Sequence, residues 1–278
     1  MFTGNILWSV MPGEHAAICA LLADAAKAAA VGRAAKDPGL PIQMVGNSAV
    51  ITISGYMIDG PSWLAEYGFA VTRDITKAVD IAARDRSVSE IILLPKSPGG
   101  STSGMADLGD SIAGAARIKP VHAAVQGMAA SAAYYAIASA TRISAGRMDI
   151  LGSIGTYAVL YDTSKAMEQE GIRPVLVSSG GVKGAGADGV ITPEVVASMQ
   201  RMIDSITGDF VQTVSAGRKL SYQQAQALAT GEIWNGAEAL TLGLIDTVET
   251  AGAVIDRTRT NATQIQIARA QLDLARAY

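Results

Sequence analysis

The run Glu90-Ile91-Ile92-Leu93-Leu94, stopped by Pro95, is too short for a helix and apolar at every position after the first. Apolar residues without alternation fit a strand buried on both faces, and such a strand demands helices above and below it. The flanking sequence supplies them. Residues 49–54 carry β-branched side chains and read as a strand, while residues 71–84 show helical spacing at Ile75, Val79 and Ala82. Downstream, 105–116 reads as helix, 120–125 as strand and 131–140 as an Ala-rich helix. This alternation predicts βαβ units in an α/β fold. Arg142-Ile143-Ser144, residues 154–160 and Val175-Leu176-Val177 read as further strands, and 164–170 as a helix. Thr192-Pro193-Glu194 opens a long helix, Thr as cap and Pro at the first helical position, and the remainder reads almost entirely as helix and turn.

A chain of 278 residues can bury a large core, enough for one α/β domain with helical appendages. The expected divisions are an N-terminal helical extension and linker at 1–41, a main domain at 42–250 and a C-terminal helical tail at 251–278. Lys36-Asp37-Pro38-Gly39-Leu40-Pro41 is the linker. The Ala-rich run 16–31 is interrupted by Asp24 and Lys27 and lacks a basic start, so it reads as an amphipathic helix opened near Pro12-Gly13-Glu14. A soluble, cytoplasmic protein without membrane insertion is expected. The net charge of −3 offers no basic field for nucleic acid. Cys19 is the single cysteine, and with only His15 and His122 the chain is expected to hold no metal and no cofactor.

Two segments can carry chemistry. Ser97-Pro98-Gly99-Gly100-Ser101 follows the buried strand, and its glycines leave backbone N–H groups accessible to an oxyanion or phosphate. An ordinary turn is the commoner fate of such a sequence. Gly127-Met128-Ala129-Ala130-Ser131-Ala132-Ala133-Tyr134 sets one serine among small residues where a strand gives way to a helix. It is either a reactive hydroxyl or an N-cap. A reactive serine needs a base, and neither histidine has an obvious orienting carboxylate. A neutral lysine is the other route. Lys183, in Ser178-Ser179-Gly180-Gly181-Val182-Lys183-Gly184, is the lysine to test, although lysines in such loops are mostly exposed.

With these residues assembled, the chain resembles the signal peptide peptidase A family of Ser/Lys peptidases, in the Clp protease/crotonase superfamily. The resemblance rests on Ser97-Pro98-Gly99-Gly100-Ser101, Lys119-Pro120-Val121, Met128-Ala129-Ala130-Ser131, Tyr134-Tyr135 and Gly152-Ser153-Ile154-Gly155. It continues through Gly171-Ile172, Ser179-Gly180 with Lys183, Gly217-Arg218, Gly231-Glu232-Ile233-Trp234 and Gly243-Leu244-Ile245-Asp246. It implies a Clp/crotonase-like fold of repeated β-β-α and βαβ units, with Ser131 as nucleophile, Lys183 as general base and Ser153 orienting the lysine amine. The backbone N–H groups of Gly100 and Ala132 would form the oxyanion hole. An extended peptide would lie between Gly99 to Ser101 and Ile154, Gly155 and Thr156.

Ala132-Ala133 departs from the Gly-Gly usual in that family, and Pro95-Lys96 from its usual apolar residue and Asp or Asn. The chain is similar to the soluble branch of phage prohead proteases, which implies a capsid or scaffolding substrate and a ring-forming homo-oligomer, in the host cytoplasm or the prohead. A bacterial cytoplasmic peptidase, crotonase-type acyl-CoA chemistry and a non-catalytic capsid assembly factor are the competing expectations. The tail, with Ile265, Ile267, Leu272 and Leu274 as an incomplete apolar face, could mediate assembly.

Overall fold

The computed structural model describes residues 7–11, 13–30 and 38–276. In chain order the elements begin with β1 (Trp8–Val10), α1 (His15–Ala30), β2 (Ile42–Val45), β3 (Ser48–Ser54) and β4 (Tyr56–Ile58). A 3-10 helix (Ser62–Tyr67) then leads to β5 (Phe69–Val71), α2 (Thr72–Arg84), β6 (Glu90–Lys96), β7 (Gly99–Ser101), α3 (Met105–Ala116) and β8 (Val121–Ala124). The next group is β9 (Met128–Ala130), α4 (Ala132–Ile137), β10 (Arg142–Ala145), β11 (Ile150–Gly152) and α5 (Ser164–Gln169). Last come α6 (Pro193–Arg218), α7 (Tyr222–Ala227), β12 (Ile233–Asn235), α8 (Gly236–Thr241), β13 (Thr247–Val248) and α9 (Ala251–Arg276).

The main sheet runs β13-β10-β8-β6-β3-β2, parallel except for β2, which pairs antiparallel at its edge. Its two faces explain the unbroken apolar runs. Ala49, Ile51, Ile91, Leu93, Val121 and Ala123 join the core under α2 and α3. Val50, Ile92 and Ala124 face the other way and are covered by Ala251 and Val254 of α9. Lys119 closes the end of α2, its ammonium donating to the carbonyls of Ala82, Asp85 and Val88 at 2.9, 2.7 and 2.9 Å.

Beyond the C-terminal ends of β6 and β8, the chain turns into two smaller sheets, β1-β7-β4-β5 and β12-β11-β9. An isolated bridge between Ser97 and Ala129 joins the two segments. Open α/β sheets hold their ligands at this edge.

Several elements differ from the sequence expectation. Pro95 does not stop β6, which runs to Lys96. The ladder to β8 has already ended at Leu93↔Ala123, so the missing N–H breaks no bond there, and the Pro95 carbonyl still accepts from Gln126 N–H at 2.8 Å. Residues 154–160 and 175–177 are not strands. Tyr157 makes one bridge, to Trp8, and Val175 and Val177 are 80% and 91% exposed with no neighbouring strand among the described residues. β-branched composition alone cannot supply a ladder. The helix expected at 131–140 is confined to α4, with Ser131 outside it as the N-cap. The C-terminal third contains β12 and β13 between its helices.

α1 matches the Ala-rich run and rests Ile18 and Ala25 against Leu64, Phe69 and Val71. Pro12, Val31, and Lys36 and Asp37 of the linker lie outside the described residues. No described helix is long and apolar enough to cross a membrane.

Candidate active site

The segment after β6 is a strand and not merely a turn. Ser97 is fixed on both sides: its N–H donates to the Met128 carbonyl and its carbonyl accepts from Ala130 N–H, both at 3.0 Å. The Ser97 hydroxyl then accepts from Gly99 N–H at 3.2 Å. Pro95-Lys96 therefore leaves the inner hydrogen bonding of the loop intact. Gly100 lies against Met57 of β4, so close that a Cβ there would sit 2.0 Å from the Met57 carbonyl oxygen. Gly99 has φ +98, and a Cβ on it would come within 2.9 Å of the Ser131 Cβ. Both glycines are demanded by geometry: one by backbone contact, the other by a conformation L-residues avoid.

Ser131 follows β9 and precedes α4, buried to 1% exposure, with φ 54 and ψ −123. Its N–H donates to the Gly152 carbonyl at 2.7 Å and its carbonyl accepts from Tyr135 N–H at 2.9 Å. It makes no side-chain cap to the helix. The N-cap reading of this serine therefore fails as chemistry, since the hydroxyl is turned away from the helix it precedes. Ala132 and Ala133 are fully buried in the first turn of α4, so their methyl groups fit the packing. Ala132 is the first helical residue, and its N–H has no acceptor within the helix.

Ser153 is adjacent. β9 and β11 pair in parallel with Ala130 opposite Gly152, so each serine follows directly on a paired residue. Ser153 is 3% exposed, has φ 51, and donates its N–H to the Glu232 carbonyl at 2.6 Å. Among described non-glycine residues only Ser131, Ser153 and Lys219 have positive φ. Lys219 is a helix C-cap, an ordinary place for that conformation. The other two meet at one site, and such strain concentrates where function requires it.

Ile154, Gly155 and Thr156 line a cavity of about 530 Å³ together with Ser153, Val10 and His15. Two buried polar atoms on its lining, His15 Nδ1 and Thr156 Oγ1, have no hydrogen-bond partner among the described residues. The neighbourhood also contains a residue that sequence reasoning missed: the Ser9 hydroxyl lies 2.6 Å from that of Ser131. A three-residue strand with distant partners leaves no periodic signal in sequence.

Lys183 is not brought to this site. Its side chain is exposed in the turn-rich segment 179–189, where its carbonyl accepts from the Ser178 hydroxyl at 2.6 Å. Around it Ile172, Val175, Leu176, Val177 and Val182 are also exposed. The segment has few contacts to hold it against the body of the chain. Neither histidine hydrogen-bonds Ser131 or Ser153 among the described residues. His122 Nε2 lies 2.8 Å from the Ser144 hydroxyl, and burial with the nearby Arg142 charge holds its pKa below the ordinary value. His15 meets the Trp8 ring edge-on at 5.5 Å. Neither hydrogen-bonds a carboxylate among the described residues, so no Ser/His/Asp arrangement is present there.

Comparison with known proteins adds an independent observation. The sequence model of peptidase family S49 matches residues 113–265. Protease 4 of Salmonella typhi is 30% identical over 209 residues, covering 75% of this chain and 33% of the relative. Protease 4 of Haemophilus influenzae is 30% identical over 220 residues, covering 78% and 35%. Capsid assembly protease C of Escherichia phage lambda is 31% identical over 206 residues, covering 73% and 47%. The chain thus spans between a third and a half of the length of these relatives.

Proposed function

Because the chain belongs to peptidase family S49 and has its Clp/crotonase-like fold, we propose that it is a serine endopeptidase using Ser131 and Lys183. The observation that carries this reading is the strained, buried Ser131 beside the equally strained Ser153, at the edge where strand β7 carries the buried Gly100. The Lys183 amine takes the hydroxyl proton, and Ser131 Oγ attacks the substrate carbonyl carbon. Ser153 orients the lysine amine. The N–H groups of Gly100 and Ala132 hold the oxyanion of the tetrahedral intermediate. Its collapse breaks the peptide bond, the proton passes to the leaving amine, and water then releases the acyl group from Ser131.

Substrate lies extended between Gly99 to Ser101 on one side and Ile154, Gly155 and Thr156 on the other, as an added strand. Among the described residues His15 Nδ1 and Thr156 Oγ1 have no partner, which supports a polar occupant in the adjoining cavity.

The dyad is completed in a homo-oligomer. Exposed apolar residues flank Lys183, including Val177 at 91% exposure, and a face of that kind is covered by protein contact. Packing of copies presses the segment 172–183 towards the Ser131 side. The substrate is a capsid or scaffolding protein, a reading supported by the likeness to a capsid assembly protease.

A fluorophosphonate probe tests the assignment. It is expected to attach to Ser131, as mapped by peptide mass spectrometry. A chain that leaves Ser131 unlabelled but binds acyl-CoA would be doing crotonase chemistry, and one that does neither would be an assembly factor.

A further inference from the structure

The channel assigned to the substrate is already filled by the chain itself. β1 pairs antiparallel with β7 in the register Trp8↔Ser101, Ser9↔Gly100 and Val10↔Gly99. At its ends Met11 N–H donates to the Pro98 carbonyl at 2.8 Å and Thr102 N–H to the Leu7 carbonyl at 3.1 Å. Hydrogen-bonded pairs recur at every second residue of an antiparallel ladder, which makes Ser9 and Gly100 the bonded pair between these two. On the opposite edge Trp8 and Tyr157 exchange both backbone bonds, at 3.0 and 2.9 Å. β1 is thus clamped between the same two segments that would hold a substrate.

The side chains complete the resemblance to a bound peptide. Ser9 is fully buried, and its hydroxyl donates to the Gly155 carbonyl at 3.0 Å. A serine hydroxyl has one proton, so in the 2.6 Å contact Ser131 is the donor and Ser9 the acceptor. The Ser131 proton that a base must remove is therefore directed at Ser9 Oγ, which accepts it in a hydrogen bond. Trp8, at 4% exposure, anchors the strand in an apolar cluster with Ile18, Leu64 and Phe69.

We infer that Trp8–Val10 is an internal occupant of the substrate channel, which excludes other chains until it is displaced. The inference rests on the substrate channel proposed above. A site open only part of the time binds its ligand with an affinity reduced by the open fraction. Freeing β1 should therefore tighten the binding of an added peptide.

The test needs no catalysis. In full-length Ser131→Ala protein, binding of a fluorescein-labelled Leu-Trp-Ser-Val-Met peptide is measured by anisotropy, with and without Trp8→Pro. The proline removes both the N–H bonded to Tyr157 and the buried indole. At least about ten-fold tighter binding with Trp8→Pro is expected, from an open state of no more than about a tenth of the population. Equal affinities, or binding by neither protein, would overturn the inference.

A second variant guards against misfolding. Trp8→Cys with Tyr157→Cys, in a Cys19→Ser background, places two cysteines directly opposite on neighbouring strands, within disulfide reach. The peptide should bind only after reduction, and equal binding in the oxidised and reduced forms would contradict the occupancy. Protein that admits the peptide once β1 is freed, yet hydrolyses nothing when Ser131 is intact, would uphold the occupancy and contradict the peptidase reading.

Discussion

Ser131 and Ser153 stand side by side, each directly after a member of the Ala130↔Gly152 pair, and each with a positive φ, 54 and 51 respectively. The two conformations are stabilised from outside. Each serine donates its N–H to a neighbouring carbonyl, Ser131 to Gly152 and Ser153 to Glu232. The surrounding strands thus hold in place a geometry that serine would not choose alone.

Glycine should relieve that strain where alanine cannot. Ser131→Gly and Ser131→Ala both delete the hydroxyl and its contact with Ser9, so their difference isolates the backbone. Strain of this kind costs about 1–3 kcal/mol, partly offset by the roughly 0.5–1 kcal/mol of extra freedom glycine has when unfolded. The glycine variant is expected to unfold at higher urea than the alanine variant. Equal midpoints would show that no strain is held there.

Gly100→Ala should damage the fold as well as the site. Its new Cβ would sit 2.0 Å from the Met57 carbonyl oxygen and 2.6 Å from the Met57 nitrogen, both backbone atoms that cannot rotate away. A loss of at least about 3 kcal/mol in chemical denaturation is expected, the upper end of ordinary overpacking. A change within 0.5 kcal/mol, roughly the scatter of surface substitutions, would contradict this close approach.

Ser153→Ala keeps the same φ and loses only the hydroxyl. It should leave the unfolding midpoint nearly unchanged while lowering kcat and moving the acid limb of the rate profile, since the hydroxyl is proposed to orient the lysine amine, which acts as a base only when unprotonated. A fall in kcat with the pH profile unmoved would point to a packing role instead.

Asp246 connects stability to pH. Burial opposes its ionisation, but hydrogen bonds from Arg218 and from Ile143 N–H, with the charges of Arg218 and Arg142, outweigh that and lower its pKa below 3.8. A depressed folded value means stability present above the unfolded pKa and lost as pH falls through the folded one. Asp246→Asn should therefore flatten the acid limb of the stability curve below about pH 4. An unchanged acid limb would remove Asp246 from that account.

The elements legible in sequence were those with local, repeated signals. β3, α2, β6, α3, β8 and β10 announce themselves through apolar runs or helical spacing, and Thr192-Pro193 marks the start of α6. β1 does not, because Trp8-Ser9-Val10 acquires its meaning only from partners at 99–101 and 157. The opposite error arose at 154–160 and 175–177, where strand-like composition has no ladder to join. Ser131 could be nominated from its small neighbours and strand-to-helix position. Its positive φ, its register with Ser153 and its contact with Ser9 are tertiary facts. For Lys183, residue chemistry alone favoured an exposed loop, which is where its side chain lies in the single chain, and family resemblance alone gave it a role.

The pairing of Ser131 with Lys183 is tested most directly by the initial rate of peptide hydrolysis by Lys183→Ala, with folding and oligomeric state checked alongside. General-base assistance is worth about 10²–10⁴-fold, so the variant is expected to lose at least about a hundred-fold in kcat while remaining folded. Near wild-type turnover by folded Lys183→Ala protein would contradict the dyad and send the search for a base elsewhere.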